Sequence, residues 1–236
     1  MTGQPDPEQR LYIRSLMSPP RAREGVAALC RDCHHGLPGI DGAVLTMLVA
    51  QAGWIILSDS GPHGDQLEDL YATTGEGPRV DAFTTGMPVA AADLGHAHAT
   101  WPRFTPRALA RGIRAVFALP VRLGSVPVGV LSVYRATAGP LSATDHARFC
   151  RYARAATVLL RAARYVNSAG QASGSLPQAA GEVQQAIGVI MEHATVDAAT
   201  ALHRLRAYAR RSQRPMRDVV TEVRADNLRF DPTTAT

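Results

Sequence analysis

The last fifty residues carry apolar side chains at helical spacing in three successive segments. Residues 182–193 place theirs at positions i, i+3, i+4, i+7 and i+8, which lie on one face of a helix: Val183, Ala186, Ile187, Ile190 and Met191. The next segment follows Thr195, a residue suited to capping a helix N-terminus. The third opens at Pro215, which suits a first helical position because its missing N–H needs no partner there. The pattern predicts a bundle of three short helices, with a turn at residues 212–214.

The chain from residue 41 to about residue 165 has a different pattern, in which short β-branched and aliphatic runs alternate with turn signals. Residues 43–49 and 54–58 flank a turn and predict one antiparallel hairpin. Residues 115–123 and 126–134 flank Gly124 and Ser125 and predict a second hairpin, made of central strands. This region is therefore expected to be a mixed α/β domain.

Further elements are predicted around these hairpins. Residues 88–92 resemble another strand, and a helix beginning near Pro78 is expected to cross the sheet. Ser142 is placed to cap a helix that runs to about Ala163, with its apolar face over the sheet. A bundle as small as the C-terminal one buries little surface, so it should lean on this α/β domain or on a partner subunit.

Composition and charge narrow the class of protein. The 236 residues are 46% hydrophobic and carry a net charge of +5, which suits a soluble chain that meets nucleic acid. No apolar run approaches the ~18 residues of a membrane span, and residues 1–8 are polar, so we expect a cytoplasmic protein without membrane contact. All 25 basic residues are arginine, which indicates a GC-rich coding sequence and an actinobacterial source rather than a function.

Six arginines fall in the predicted bundle with no acidic residue between the first and the last: Arg204, Arg206, Arg210, Arg211, Arg214 and Arg217. Guanidinium groups pair bidentately with phosphates and stack on unpaired bases, both of which RNA loops offer. A solvated helix face is the alternative from charge alone. A DNA-binding helix-turn-helix is a further alternative, although the turn lacks glycine and no recognition helix stands out.

The bundle also resembles a known family. Three strings look like an ANTAR domain over about residues 178–226: 183–191 (VQQAIGVIM), 201–209 (ALHRLRAYA) and 216–220 (MRDVV). The resemblance implies an antitermination protein that binds paired RNA hairpins in nascent leader transcripts. It adds Gln185 and Gly188 to the six arginines as expected RNA-binding residues. The family usually has Gln-Ala-Lys-Gly at 185–188, and here Ile187 replaces the lysine.

The α/β region has a resemblance of its own over about residues 25–165. Four strings look like a GAF domain: 75–81 (GEGPRVD), 101–104 (WPRF), 112–120 (GIRAVFALP) and 129–135 (GVLSVYR). The resemblance implies an antiparallel sheet flanked by helices, used to sense small molecules or to dimerise. Relatives often have a cysteine where this chain has Arg79, and no cysteine lies between Asp59 and Phe149 to attach a bilin.

A ligand pocket in this domain would lie between the sheet and the segment 75–118. Trp101, Phe104 and Phe117 are its candidate walls, and Arg79 is a cation able to meet an anionic small molecule. Core packing explains the three aromatic residues equally well. For Arg79 the favoured interpretation is an exposed arginine at the start of a helix.

The remaining chemical motif is Cys30-Arg-Asp-Cys33-His34-His35. It matches a c-type haem attachment signature, and its thiols suit zinc or a disulfide. We favour a structural interpretation, in which both cysteines lie on the inner face of a helix that ends at Gly36 with the two histidines near its C-terminus. No nucleophile elbow, phosphate-binding loop or spaced ligand set appears, so we expect no enzyme, cofactor or metal.

These observations predict five parts: an extension (1–24), a GAF-like sensor domain (25–166), a Gly/Ser-rich linker (167–177), an ANTAR-like domain (178–226) and a tail (227–236). The expected function is that of a homodimeric RNA-binding antitermination regulator. A DNA-binding regulator and a ligand or redox sensor acting through protein contacts are the alternatives.

Overall fold

A computed structural model of the protein describes residues 7–17, 25–49, 53–168, 175–212, 214 and 216–230. Five strands form one antiparallel sheet in the order β2-β1-β5-β4-β3. Their bounds are Gly42–Val49 (β1), Gly53–Ser60 (β2), Val89–Ala91 (β3), Ala115–Leu123 (β4) and Val126–Arg135 (β5). Both predicted hairpins are confirmed, and the strand predicted near residues 88–92 is the edge strand β3.

One side of the sheet is covered by three helices: Pro7–Met17 (α1), Gly25–Gly36 (α2) and Ala143–Ser168 (α6, numbered in chain order). The predicted cap of α6 is present, since the Asp145 N–H donates to Ser142 Oγ at 3.0 Å. The helix α1 was not predicted and lies within the predicted extension. It buries Ile13 and Leu16 against α2 and α6, so this part of the extension belongs to the core.

The opposite side of the sheet carries three further helices: Gly64–Thr74 (α3), Pro78–Thr85 (α4) and Phe104–Leu109 (α5). The helix predicted near Pro78 is confirmed as α4, which lies across β3, β4 and β5. Gly77 turns the chain into α4 at φ +124, where a Cβ would lie 2.8 Å from the Tyr71 ring and 2.9 Å from the Phe104 ring. Only glycine fits this turn without moving aromatic core residues.

The three C-terminal helices are also present, at Ser175–Ala194 (α7), Ala198–Arg211 (α8) and Met216–Arg224 (α9). Their shared core matches most of the predicted inward positions, and it includes two residues of the predicted tail. The core residues are Ala186, Ile187, Ile190, Ala194, Ala201, Leu205, Val219, Val220, Val223 and Phe230, with Leu228 packed beside them. Met191 was expected to face inward but is an exposed apolar residue at the edge of the stripe.

The predicted cap of α8 is wrong. Asp197, rather than Thr195, caps this helix, because its Oδ1 accepts the N–H of Thr200 at 2.8 Å. Thr195 instead has φ 51, a left-handed conformation that ends α7. One residue therefore stops the first helix and another starts the next. Pro215, expected to open α9, lies outside the described residues.

The bundle packs on the α/β domain, as its small size led us to expect. Ile55 on the edge strand β2 is 4% exposed and belongs to the same apolar cluster as the bundle core. The helix α7 contacts β2, α2 and α6. Of the predicted linker, residues 169–174 lie outside the described residues, while its ends fall in α6 and α7. Burial of a side chain the size of Ile55 is worth about 1.5–3 kcal/mol, so the contact contributes to the position of the bundle.

Candidate nucleic-acid interface

The outward face of α7 carries two of the predicted RNA-binding residues. Gln185 and Gly188 are both exposed and lie one turn apart. A Cβ built on Gly188 would meet no atom within 4 Å, so nothing in the described structure requires glycine there. The Gln185 Oε1 accepts the Nε–H of Arg224 at 2.9 Å, which brings an exposed arginine of α9 to the same face. Arg224 was not among the predicted residues, since it lies beyond the basic run.

The helix α8 carries four of the six predicted arginines: Arg204, Arg206, Arg210 and Arg211. Arg204 is half-buried and Arg211 is exposed, and their spacing of seven residues puts both on one side of the helix. The backbone of α8 includes positions 206 and 210, and that of α9 includes position 217. The side chains of Arg206, Arg210 and Arg217 lie outside the described residues, so their roles stay predictions.

Arg214 differs from the expectation of an uninterrupted basic surface. Its two Nη groups donate to the two carboxylate oxygens of Glu222 at 2.7 Å each, a bidentate ion pair between the α8–α9 connection and α9. This pair lowers the pKa of the Glu222 carboxyl. No acidic residue lies between the first and the last of these arginines in sequence, but the turn before α9 brings Glu222 back to Arg214. Arg214 therefore ties the turn to α9 in addition to any contact with a ligand.

Ile187 occupies the position where the family usually has lysine, and it is 4% exposed within the shared core. An ammonium group at this site would be costly to bury without a partner. An apolar residue suits the site because the cluster around it includes Ile55 of β2. At position 187 this chain therefore has a core-packing residue where the family usually has a cation.

Arg79 contradicts the favoured interpretation of an exposed helix-start residue, because it is 2% exposed. Its guanidinium forms a close ion pair with buried Glu68. The guanidinium carbon also lies 4.2 Å from the Trp54 ring centre and 4.3 Å from that of Tyr71. The planar guanidinium is well suited to this position, since it stacks on aromatic faces while it donates in its own plane. Glu68 and the two rings already partner the cation that was considered for an anionic ligand.

Only two of the three aromatic residues predicted as pocket walls are brought together. Trp101 and Phe104 are buried with Tyr71 on the α3–α5 side of the sheet, where Phe104 stacks on Tyr71 at 4.9 Å between ring centres. Phe117 lies on the opposite side, in the core formed with α2 and α6. Because side chains alternate along β4, Phe117 faces the α2–α6 side of the sheet, whereas Trp101 and Phe104 lie on the other side. The core-packing alternative is the one that these three residues follow.

The cysteine motif follows its structural interpretation. Cys30 and Cys33 are free thiols, fully buried on the inner face of α2 together with Val26 and Leu29. Burial raises the pKa of the Cys30 thiol to about 12 and that of Cys33 well above its usual value. His34 Nδ1 lies 2.9 Å from Ser60 Oγ. Within the described part of the chain, no group of three or more His, Cys, Asp or Glu side chains is arranged to hold a metal ion.

Comparison with known families agrees with this architecture. A model of the GAF domain matches residues 40–161, just over half of the chain, and a model of the ANTAR domain matches residues 178–223. The chain therefore belongs to the GAF family and carries a C-terminal ANTAR domain. GAF and ANTAR domains are regulatory and sensory modules. No curated protein matches the chain.

Solved structures show the same fold. The GAF domain of a phosphoenolpyruvate-protein phosphotransferase from Coxiella burnetii has a TM-score of 0.51 and 14% identity, over 70% of this chain and 95% of that one. The corresponding domain from Acinetobacter has a TM-score of 0.51 and 12% identity, over 67% and 93%. At this level of identity the likeness concerns the fold alone.

Among the described residues, no helix has both the length and the apolar character to span a membrane.

The buried ion pair yields a stability prediction. Arg79→Met removes the guanidinium that faces Glu68 and should destabilise the protein by about 3–5 kcal/mol, because a buried carboxylate is then left without its counter-charge. The double variant Arg79→Met/Glu68→Leu should recover most of this stability, measured by denaturant unfolding. Equal destabilisation in both variants would show that Arg79 acts through packing rather than through the pair.

The thiols yield a reactivity prediction. With raised pKa values, Cys30 and Cys33 stay protonated in the folded protein, and burial shields them. At pH 8 a thiol reagent should modify only half-buried Cys150 in the native state and all three cysteines in denaturant. Rapid native modification of Cys30 or Cys33 would contradict this. Because both folded-state pKa values lie above the unfolded value of 9.0, the contribution of these thiols to the free energy of unfolding is complete well below pH 9 and falls as the pH rises through 9 toward the folded-state values, which denaturant unfolding at several pH values would measure.

Proposed function

We propose that this protein is an RNA-binding transcription antitermination regulator, whose GAF domain senses a signal or holds two copies together. The observation that carries the proposal is the exposed face of the ANTAR domain. Open Gly188 and the Gln185–Arg224 contact lie on α7 and α9, and α8, with half-buried Arg204 and exposed Arg211, belongs to the same small bundle. The target would be a pair of hairpins in a nascent leader transcript, and the working location would be the cytoplasm.

The chemistry of this face suits folded RNA. Arginine forks can bind phosphate oxygens bidentately or stack on bases splayed out of a loop. The open surface at Gly188 allows a sugar-phosphate backbone to approach the helix closely. The amide of Gln185 supplies a donor and an acceptor for base edges. Each phosphate contact releases condensed counterions, so binding should weaken steeply as salt rises.

Dimerisation supplies the second part of the proposal. One bundle presents a small contact surface, whereas two bundles in a dimer would bind two hairpins at a raised effective concentration. The spacing between hairpins would then select the transcripts. A full-length protein that binds a two-hairpin RNA tightly while it remains a monomer would overturn this part.

Crosslinking the protein to cellular RNA, followed by sequencing of the bound fragments, tests the function itself. Enrichment of paired hairpins that overlap intrinsic terminators is the expected result. Enrichment of DNA fragments alone would favour a DNA-binding regulator. Recovery of neither nucleic acid would favour a sensor that acts through protein contacts.

The exposed arginine of α8 offers a direct test of the interface. Arg211→Ala should weaken binding to a two-hairpin RNA and reduce the magnitude of the log K against log salt slope by about 0.7–0.9 for each phosphate that the guanidinium neutralises. Arg107→Ala, an equally exposed arginine on α5 of the GAF domain, is the matched control and should leave both quantities unchanged. Unaltered affinity for Arg211→Ala would refute its assignment. Arg206→Ala and Arg210→Ala should behave like Arg211→Ala.

Gly188 separates stability from binding. Gly188→Ala meets open space in a helix, so it should stabilise the bundle by about 0.5–1 kcal/mol. If RNA approaches this face as proposed, the added methyl group should nevertheless reduce RNA affinity. Thermal unfolding and RNA titration of the same variant measure the two effects. Higher stability with undiminished affinity would place the RNA contact elsewhere on the bundle.

A further inference from the structure

A cleft of about 570 Å³ opens on the side of the GAF domain that carries α1, α2 and α6. It lies between α1, the end of α2 and the first half of α6. Its size falls within the range that proteins use for small molecules. Its lining includes Gln9, Tyr12, Gly36, Arg148, Arg151 and Tyr152. None of them belongs to the proposed RNA interface or to the pocket predicted from sequence.

We propose that this cleft binds a small organic anion that carries an aromatic ring, such as an aryl carboxylate. The two tyrosines supply apolar walls in fixed positions. Their rings meet edge to face, with centres 5.7 Å apart and planes at 81°. Tyr12 donates its hydroxyl to Asp32 Oδ2 at 3.1 Å, which holds its ring in place. Aromatic rings prefer edge-to-face or offset contacts, so a third ring can pack against this pair.

The absence of a side chain at Gly36 allows Tyr152, the second aromatic wall, to lie against α2. A Cβ at position 36 would lie only 2.2 Å from the Tyr152 hydroxyl oxygen, so the phenol rests against the glycine backbone. Beside it, Gln9 is a 2% exposed polar side chain, and its Nε2 donates to the Arg151 carbonyl at 2.9 Å. This hydrogen bond joins α1 to α6 beneath the cleft. The walls and floor of the cleft are therefore formed by α1, α2 and α6, which pack against one another.

The rim of the cleft carries two arginines that can pair with an anion, and one carboxylate, Glu8. Arg148 and Arg151 lie one turn apart on α6, about half exposed, and His35 lines the same cleft. Arg148 is 3.6 Å from Asp145, and Arg151 is 3.2 Å from Glu8, which is 86% exposed. Such exposed pairs are worth at most about 1 kcal/mol, so a ligand carboxylate can displace them. Two guanidiniums and two phenol rings line the same cleft, which matches a molecule with an anionic head and a flat body.

The position of the cleft gives a ligand a route to the bundle. It lies on the opposite side of the sheet from Arg79, Trp101 and Phe104. The helices α2 and α6 that form it also contact α7, the first helix of the ANTAR domain. A ligand that draws α1, α2 and α6 together would thus act on the surface that holds α7. Binding at the cleft itself does not depend on the proposed RNA function.

Ligand-observed NMR and calorimetry on the full-length protein test the site directly. The probes are benzoate, 4-hydroxybenzoate, indole-3-acetate and phenyl phosphate, with benzyl alcohol lacking the charge and acetate lacking the ring. At least one aromatic anion should bind with a Kd below about 1 mM, and at least tenfold more tightly than either partial probe. Failure of all four aromatic anions to bind would overturn the proposal.

Two variants locate the binding, with a third as a substitute and a fourth as a control. Arg151→Gln removes the charge and keeps the backbone carbonyl that Gln9 uses, and Gly36→Ala pushes Tyr152 toward the cleft without altering any charge. Each should weaken the aromatic anion at least tenfold, with far-UV circular dichroism confirming the fold. Arg148→Gln, at a rim arginine that pairs with Asp145 of its own helix, serves if Gly36→Ala fails to fold. Arg10→Gln, an exposed arginine of α1 outside the cleft, should bind as tightly as the unaltered protein. Equal affinity in all variants would place the anion elsewhere.

Discussion

The pairing of β1 with β5 is the contact on which the rest of the protein depends. It joins two hairpins that are far apart in sequence, and its register runs from Gly42 opposite Tyr134 to Met47 opposite Gly129. Because side chains alternate along a strand, this one register decides which residues face each side of the sheet. Leu45 and Leu131 face α2 and α6, while Val44 and Tyr134 face the side that carries α3 and α5. A shift by one residue would exchange these faces along the whole pair.

The same sheet provides the surface on which the small C-terminal bundle rests. Ile55 lies on β2, the neighbour of β1, and it shares an apolar cluster with α7. Ile187 belongs to that cluster, so the residue that replaces the family's usual lysine is also part of the packing that includes β2. A bundle of three short helices gains stability from such a contact because it buries little surface by itself. The helix α7 therefore belongs both to the packed side and, through Gln185 and Gly188, to the exposed side of the bundle.

Arginine serves several distinct purposes in a chain that has no lysine. Arg79 is enclosed between two aromatic rings and pairs with Glu68 in the core. Arg214 ties a turn to α9 through Glu222, and Arg224 links α9 to Gln185 on α7. Arg211 stays exposed on α8. The planar fork of the guanidinium makes each of these arrangements available, whereas an ammonium group would lack both the stacking and the bidentate geometry. Arginines that look alike in the sequence therefore differ in burial and in the groups that they already contact.

The sequence by itself determined the two hairpins, the helix beginning at Pro78, the cap at Ser142 and the three C-terminal helices, because periodicity, turns and caps act over a few neighbouring residues. It also determined that Cys30 and Cys33 lie on one helix face with Val26 and Leu29. The tertiary structure alone decided that Arg79 is buried, that Phe117 is separated from Trp101 and Phe104, and that Glu222 folds back on Arg214. It also placed α1 in the core and formed the cleft between three helices that are distant in sequence. These features arise from contacts across the sheet and between helices, and local patterns carry no information about which distant side chains will meet.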